Sequence, residues 1–293
     1  YFLWQKMVNG KPETAGAYAP TVNVDDALDW LNRQDLNQPW FIWFAFNAPH
    51  SPFQVPPVST NPGPHQAALT GSPGDRAGSD TKENIYRAMV EYMDEEIGRL
   101  IDSIPASELA QTTIIFIGDN GTPAGVVTPP VDRLHAKFTL YQQGIHVPMV
   151  VAGAGVSNPG RTSNQLINST DLFATILELS GIDIASNAPP AVSDSISFLP
   201  VLQDIPAQSV RKYAFSETLD PVSRAVDVSG VTIQDERFKL IRFNLGGREE
   251  FYDLQADVLE TRNLLPFDTA DADFSLHQSK YNELVLALSK ITP

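Results

Sequence analysis

Residues 113–121 have the sequence TIIFIGDNG, in which five β-branched or aromatic side chains precede a polar turn. A short run that is apolar on both faces is typical of a strand buried within a parallel sheet. Asp119 and Asn120 follow this strand directly, and ligands of parallel α/β sheets bind beyond the carboxyl ends of the strands. The segment therefore predicts both the class of sheet and the edge at which a ligand binds.

Strand and helix patterns alternate around this segment. Residues 40–46 (WFIWFAF) and 147–152 (VPMVVA) are also apolar on both faces and predict two further buried strands. Residues 80–104 carry apolar side chains at a 3.6-residue period, and residues 170–180 predict a helix that Gly181 ends. This alternation predicts a three-layer α/β/α domain with a mostly parallel sheet.

The chain changes character after about residue 189. A helix pattern at residues 276–290 follows several short strand patterns that are separated by turns, which together predict a small antiparallel sheet closed by a helix. The strand patterns lie at residues 212–217, 230–234, 238–243 and 250–254. We therefore predict an α/β domain over residues 1–200 and a small α+β subdomain over residues 201–293.

The composition excludes several classes of function. The 293 residues carry a formal net charge of −15, which opposes broad binding to a phosphate backbone. Cysteine is absent, so this chain holds no disulfide, no thiolate metal ligand and no cysteine nucleophile. The longest apolar run, near residues 40–45, is too short to cross a bilayer. The sequence also lacks the nucleophile elbow, the P-loop, the dinucleotide fingerprint and the HExxH zinc motif.

Asp119 and Asn120 are the candidate metal ligands. A carboxylate beside an amide carbonyl offers hard oxygen atoms, which suit Ca²⁺ or Mg²⁺ better than softer metals. The alternative is a tight turn with no further role, because Asn-Gly is a common turn sequence.

His50 lies in the sequence APHSP, just past the strand predicted at residues 40–46. Prolines hold the surrounding backbone extended, so the imidazole would be presented at the sheet edge. There it could donate to an anionic oxygen or protonate a leaving group. The alternative is a loop histidine without a role.

Lys137 and His146 lie at the two ends of the segment KFTLYQQGIH. A lysine in a pocket supplies a point charge for a sulfate or phosphate group, although a solvated surface lysine is the usual alternative. His135 is close enough to Lys137 in sequence to line the same site.

Six segments in one order carry a family resemblance. They are residues 39–52 (PWFIWFAFNAPHSP), 86–100 with Tyr92, Asp94, Ile97 and Gly98, 113–121 (TIIFIGDNG), 137–148, 169–181, and 238–264 with FKLIRF and EFYDLQADVLETRNL. Together they resemble the sulfatase family of the alkaline-phosphatase superfamily over about residues 20–265. The resemblance implies an alkaline-phosphatase-like fold and a hydrolase that acts on sulfate esters with the help of a metal ion.

The resemblance also implies roles for the candidate residues. Asp119 and Asn120 would be two ligands of Ca²⁺, or alternatively of Mg²⁺ or Mn²⁺. His50 and Lys137 would be catalytic, in contact with the sulfate and the leaving-group oxygen, and His135 and His146 would bind substrate. The substrate would be a sulfated small molecule or carbohydrate, and exported bacterial relatives imply a periplasmic or secreted protein.

The departures from the family pattern concern the other half of the site. The family has two adjacent aspartates on its first strand and a Cys/Ser-x-Pro-x-Arg motif whose first residue becomes formylglycine. Neither Asp25-Asp26 nor residues 157–161 (SNPGR) has the required strand or helix context. We therefore expect a C-terminal portion of a sulfatase that is inactive alone, with the formylglycine in a missing N-terminal segment. Gln142-Gln143 and His146 also replace the family's Glu-Gly and Arg.

Two other functions remain open from the sequence. The parent protein could hydrolyse phosphonate or phosphate esters, because sulfate and phosphate differ little in shape. The chain could also be a non-catalytic relic that binds an anion or a carbohydrate. Without an N-terminal strand the sheet would expose an apolar edge, from which we expect oligomer contacts.

Overall fold

The chain divides into two units, Tyr1–Thr112 and Thr113–Pro293, and each unit has a hydrophobic core of its own. In this computed structural model the described residues are 1–76, 78, 80–183, 194–205, 210–218, 229–244 and 246–291. The predicted domain boundary at residue 200 falls within a short helix of the second unit (Leu199–Leu202) and stays a prediction.

The first unit begins with an antiparallel hairpin of β1 (Trp4–Val8) and β2 (Lys11–Ala15). Asn9 and Gly10 form its turn with positive φ angles of 51° and 79°, the backbone that an Asn-Gly hairpin turn requires. The helices that follow are α1 (Ala19–Leu31), α2 (Pro64–Ala67), α3 (Lys82–Asp102) and α4 (Ala106–Leu109).

Helix α3 confirms the strongest helix prediction and organises the core of the first unit. Its first residue follows Thr81, whose hydroxyl accepts a hydrogen bond of 3.1 Å from the Asn84 amide as an N-cap. Ile85, Met89 and Met93 lie on one face at helical spacing and pack in the buried core. The hydrophobic period of the sequence therefore corresponds to a buried helix face.

The strand predicted at residues 40–46 is wrong for this structure, because these residues have no regular secondary structure. Phe41 is 60 % exposed and Trp43 is 76 % exposed. A strand forms only where a neighbouring strand accepts its backbone hydrogen bonds, and none of the described strands lies alongside these residues. Residues 40–46 have the apolar pattern of a strand, but no strand that pairs with them is found among the described residues.

The second unit begins with an antiparallel pair, β3 (Thr113–Ile117) and β4 (Met149–Gly153), with Ile117 opposite Met149. Both strands were predicted, but the described ranges contain no parallel strand pair, so the mostly parallel three-layer sheet is not seen in them. The helices after β3 are α5 (Gln142–Ile145), α6 (Asp171–Leu179) and α7 (Leu199–Leu202).

The C-terminal antiparallel sheet and its helix are confirmed. Its four strands pair in chain order: β5 (Ala214–Thr218), β6 (Gly230–Gln234), β7 (Phe238–Phe243) and β8 (Glu249–Asp253). Helix α8 (Phe274–Ile291) covers one face, where Leu284 and Leu288 pack against Phe238 and Phe251. Among the described helices, none has the length and apolar character that crossing a bilayer requires.

Two leucines of α8 test whether this core stabilises the unit. Leu284 is fully buried, whereas Leu286 is 60 % exposed on the same helix. We expect Leu284→Ala to lower the free energy of unfolding by about 2–5 kcal/mol, because it leaves a cavity in the core. Leu286→Ala, the matched control, changes it by less than about 0.5 kcal/mol. Urea denaturation measures both, and equal losses would contradict this assignment of the core.

Candidate functional site

The loop of residues 119–120 is fixed at both ends to the chain segment before β4. The Gly118 amide donates a 3.0 Å hydrogen bond to the Pro148 carbonyl, which extends the β3–β4 pairing by one residue. The Gly121 amide donates a 3.0 Å hydrogen bond to the Gly144 carbonyl. These two bonds hold the loop beside residues 144–148.

Two glycines allow the backbones to approach this closely. A Cβ atom at Gly121 would overlap with the Gln143 carbonyl oxygen, and one at Gly144 would overlap with the Thr139 carbonyl oxygen. A side chain at position 121 would push the loop away from residues 143 and 144, and one at position 144 would displace the backbone of residue 139. The position of the loop therefore depends on the absence of two side chains.

The side chains of Asp119 and Asn120 are exposed, and neither bonds to another residue in the described part of the chain. Their adjacent carboxylate and amide oxygens fit the hard donor set that Ca²⁺ or Mg²⁺ prefers. Two donors are fewer than the six or more that such an ion takes. Across the described ranges, no cluster of three or more His, Asp or Glu side chains could hold a metal ion.

Lys137 belongs to the same neighbourhood as the metal-ligand candidates. Its amide donates a 2.9 Å hydrogen bond to the carbonyl of Thr122, which directly follows the loop and Gly121. The ammonium group lies 5.2 Å from the centroid of the Phe138 ring and forms no ion pair with any described residue. The charge of Lys137 is therefore available to an anionic ligand.

The two candidate substrate-binding histidines lie on either side of helix α5. The ring of His135 stacks on Tyr141 at a centroid distance of 3.6 Å, and its Nδ1 is buried without a hydrogen-bond partner among the described residues. His146 is exposed, and its amide donates a 2.7 Å hydrogen bond to the Gln142 carbonyl. Both histidines therefore lie in the second unit, within the same stretch of chain as Lys137.

His50 is held in the first unit by its own loop. Its Nδ1 lies 2.7 Å from the Ser51 carbonyl, which can only accept, so Nδ1 carries the proton of this hydrogen bond. The Tyr1 hydroxyl lies 2.6 Å from the His50 carbonyl and fixes the backbone. His50 belongs to the first unit and the other five predicted site residues belong to the second, so a shared pocket stays a prediction.

Sequence reasoning missed a buried polar network behind residues 137–146. The hydroxyls of Tyr141 and Tyr252 both donate to Glu250 Oε2, at 2.7 Å and 2.8 Å. Burial and the neighbouring Glu250 carboxylate raise the pKa of both tyrosines, so both stay protonated donors.

A buried ion pair lies next to this network. Lys239 Nζ is 2.6 Å from Glu260 Oε1, and the other oxygen of Glu260 accepts a 2.5 Å hydrogen bond from the Gln142 amide. Burial lowers the pKa of Lys239 to about 8, against the opposing effect of the Glu260 carboxylate. The one sequence signal for this pair was a lysine within the otherwise apolar start of β7 (FKLI).

Comparison with known sequences decides the family. The sequence model of the sulfatase family matches residues 3–182 of this chain. The chain belongs to the sulfatase family. A second model, N-sulphoglucosamine sulphohydrolase, C-terminal, matches residues 132–283 of the chain and overlaps the first model at residues 132–182.

Curated relatives and solved structures agree with this family. The N-acetylglucosamine-6-sulfatase of Bos taurus is 26 % identical over 230 residues, which cover 69 % of this chain and 40 % of the bovine protein. The choline-sulfatase of Rhizobium meliloti (strain 1021) is 26 % identical over 283 residues, covering 83 % and 52 % of the two chains. The chain thus spans about half the length of these relatives or less.

The fold agrees with that of solved structures. The structure of BT4656 in complex with D-glucosamine-2-N,6-O-disulfate superposes with a TM-score of 0.73 at 20 % identity. The match covers 97 % of this chain and 71 % of the BT4656 chain. Similarity at this level of identity concerns the fold, and substrate and mechanism need their own arguments.

The close approach of Gly121 to residue 143 gives a direct test of the site's backbone. We expect Gly121→Ala to lower the free energy of unfolding by about 1–3 kcal/mol, because the added methyl group overlaps with backbone. Gly125→Ala is the matched control, since a Cβ atom there meets nothing within 4 Å. Thermal or urea unfolding of both variants measures the difference, and a neutral Gly121→Ala would refute the tight backbone contact.

Proposed function

We propose that the complete protein hydrolyses sulfate esters. The observation that carries this proposal is the packing of the loop of residues 119–120 against the segment that bears Lys137 and His146, in a chain of the sulfatase family. It supports a cation site at the oxygens of Asp119 and Asn120, beside the segment whose Lys137 forms no ion pair with a described residue. A sulfate group bound between them would contact positive charge from both.

The substrate class that we propose is a sulfated carbohydrate. Two solved structures of the same fold hold such molecules: D-glucosamine-2-N,6-O-disulfate with BT4656, and k-i-k-neocarrahexaose with Ps i-CgsB. The exposed ring of His146, at the other end of the segment that begins with Lys137, can donate to sugar hydroxyls and sulfate oxygens.

The negative net charge of the chain explains why fixed cationic groups are needed at this site. The chain carries a net charge of −15, which repels a dianionic transition state unless local donors outweigh it. A divalent cation held by Asp119 and Asn120 would supply Lewis-acid stabilisation of the sulfate oxygens. Lys137 would bind a further sulfate oxygen, and His50 would contact the leaving-group oxygen.

We also propose that the nucleophile and the remaining metal ligands lie outside these 293 residues. The chain has no cysteine, and it spans 40 % and 52 % of the two relatives above. In the complete protein residues 40–46 would pair as a strand of the three-layer sheet, and Phe41 and Trp43 would become buried. By analogy with exported bacterial relatives, we also propose that the protein is periplasmic or secreted.

The 293-residue chain alone tests the division of the site. We expect no hydrolysis of p-nitrophenyl sulfate above the uncatalysed rate, because no residue of this chain is assigned as nucleophile. The complete protein is the positive control in the same assay. Turnover by the isolated chain that Asp119→Asn abolishes would show that the site is whole within these residues.

Asp119 tests the cation site in the complete protein. We expect Asp119→Asn to lower kcat/KM for p-nitrophenyl sulfate by about 100-fold or more and to weaken Ca²⁺ binding, because a charged ligand is lost. Asp102→Asn, at the exposed end of α3 in the first unit, removes the same charge from a residue that is not a candidate ligand and is the matched control. Calorimetric titration with Ca²⁺ supplies the second readout, and unchanged affinity and rate would rule out this role for Asp119.

Phosphonate monoester hydrolysis is the second candidate function. The phosphonate monoester hydrolase SpPMH from Silicibacter pomeroyi shares the fold with a TM-score of 0.53, over 69 % of this chain and 40 % of that one. Parallel rates of the complete protein on p-nitrophenyl sulfate and p-nitrophenyl phenylphosphonate distinguish the two. We expect the sulfate ester to react faster, and the reverse order would favour the phosphonate.

A further inference from the structure

We propose that Lys239 and Glu260 are positioning residues for the segment 137–146, acting through the Gln142 amide. The inference rests on the proposed function, because that function gives Lys137 and His146 their contacts with the sulfate ester. The ion pair itself touches neither of these residues, and it belongs to the C-terminal sheet and the loop that follows it.

The Glu260 carboxylate links the sheet to the segment with both of its oxygens. Oε1 lies 2.6 Å from Lys239 Nζ, and Oε2 accepts a 2.5 Å hydrogen bond from the Gln142 amide. Lys239 is fully buried and Glu260 is 2 % exposed, so water does not compete for either bond. Gln142 is the first residue of α5, whose amide has no partner within the helix. The carboxylate therefore satisfies the start of this helix.

Residues 141 and 142 are linked to three of the four strands of the C-terminal sheet. The links to β6 and β8 are direct hydrogen bonds, and the link to β7 passes through Glu260. Gln142 Nε2 donates a 2.9 Å hydrogen bond to Gln234 at the end of β6, and Tyr141 donates to Glu250 on β8. Lys239 on β7 completes the set through Glu260. Two residues after Gln142, the Gly144 carbonyl accepts the hydrogen bond from Gly121 that fixes the 119–120 loop. A short path of bonds thus joins the ion pair to the metal-ligand candidates.

The backbone of Glu260 is strained in this arrangement. Its φ angle is +56°, in the left-handed region that a non-glycine residue adopts only at a cost. A buried ion pair does not by itself stabilise a fold, because desolvation of both charges offsets their attraction. Fixing the orientation of the Gln142 amide gives the pair a role that an apolar replacement could not fill.

Hydrogen–deuterium exchange tests the positioning role without any assay of activity. We expect Glu260→Ala to speed exchange of amides in peptide 139–148 by about tenfold or more, because the Gln142 amide loses its acceptor. Glu260→Asp withdraws the carboxylate by one methylene and is also expected to speed exchange of these amides. It replaces the alanine variant if that variant does not fold. The double variant Lys239→Met/Glu260→Gln removes both charges but keeps an amide oxygen as acceptor, and its exchange stays within about threefold of the unsubstituted protein.

A second buried ion pair of the same unit provides the matched control. Asp171 is fully buried and lies 2.5 Å from Arg211, away from residues 137–146. Asp171→Asn is expected to lower overall stability while exchange in peptide 139–148 stays as it is. Unchanged exchange in both Glu260→Ala and Glu260→Asp would overturn the proposal. An equal increase in Asp171→Asn would overturn it as well, because the effect would then be general loss of stability.

Kinetics of the complete protein connect the positioning role to the reaction. We expect Glu260→Ala to lower kcat for p-nitrophenyl sulfate by about tenfold or more with a smaller change in KM, because misplaced groups mainly affect the transition state. The double variant restores kcat to within about threefold, whereas Asp171→Asn leaves it unchanged. If the unsubstituted protein hydrolyses no sulfate ester, the proposed function is refuted and the exchange experiment still decides the positioning role. An active protein with normal kcat in Glu260→Ala refutes the positioning role alone.

Discussion

The backbone contact between Gly121 and Gly144 is the constraint on which the site of the second unit depends. It brings the loop after β3 against the segment before β4, and neither position has room for a side chain. With the loop fixed there, Asp119 and Asn120 face solvent beside the segment that carries Lys137. The candidate site is thus built on hydrogen bonds between main-chain atoms, and the side chains of Asp119 and Asn120 bond to no other residue in the described part of the chain.

Polar groups that do have internal partners lie on the opposite side of the same segment. Tyr141 bonds to the buried Glu250, and the Gln142 amide bonds to the buried Glu260. Low local dielectric strengthens such bonds and makes an unpaired member costly, so the whole set specifies one geometry. The segment therefore has one face that is fixed by the C-terminal sheet and another that is open to a ligand.

The first unit presents a different situation. Helix α3 buries the face that its sequence period predicts, with Ile85, Met89 and Met93 in the core. Residues 40–46 are as apolar as any stretch of the chain, yet Phe41 and Trp43 are exposed and no strand forms. Burial of a helix face needs only a surface to pack against, whereas a strand also needs backbone partners at fixed spacing. Apolar character thus leads to regular secondary structure in helix α3 but not in residues 40–46.

The sequence by itself determined the family, the helices with a clear period, the C-terminal sheet and the candidate ligands Asp119 and Asn120, because these depend on local patterns and motif spacing. Only the tertiary structure decided the antiparallel pairing of β3 with β4, the irregular backbone of residues 40–46 and the buried bond between Lys239 and Glu260. Strand direction and buried ion pairs arise between residues far apart in the chain, here up to 118 positions for Glu260 and Gln142. No pattern within a single segment records which distant group completes its hydrogen bonds.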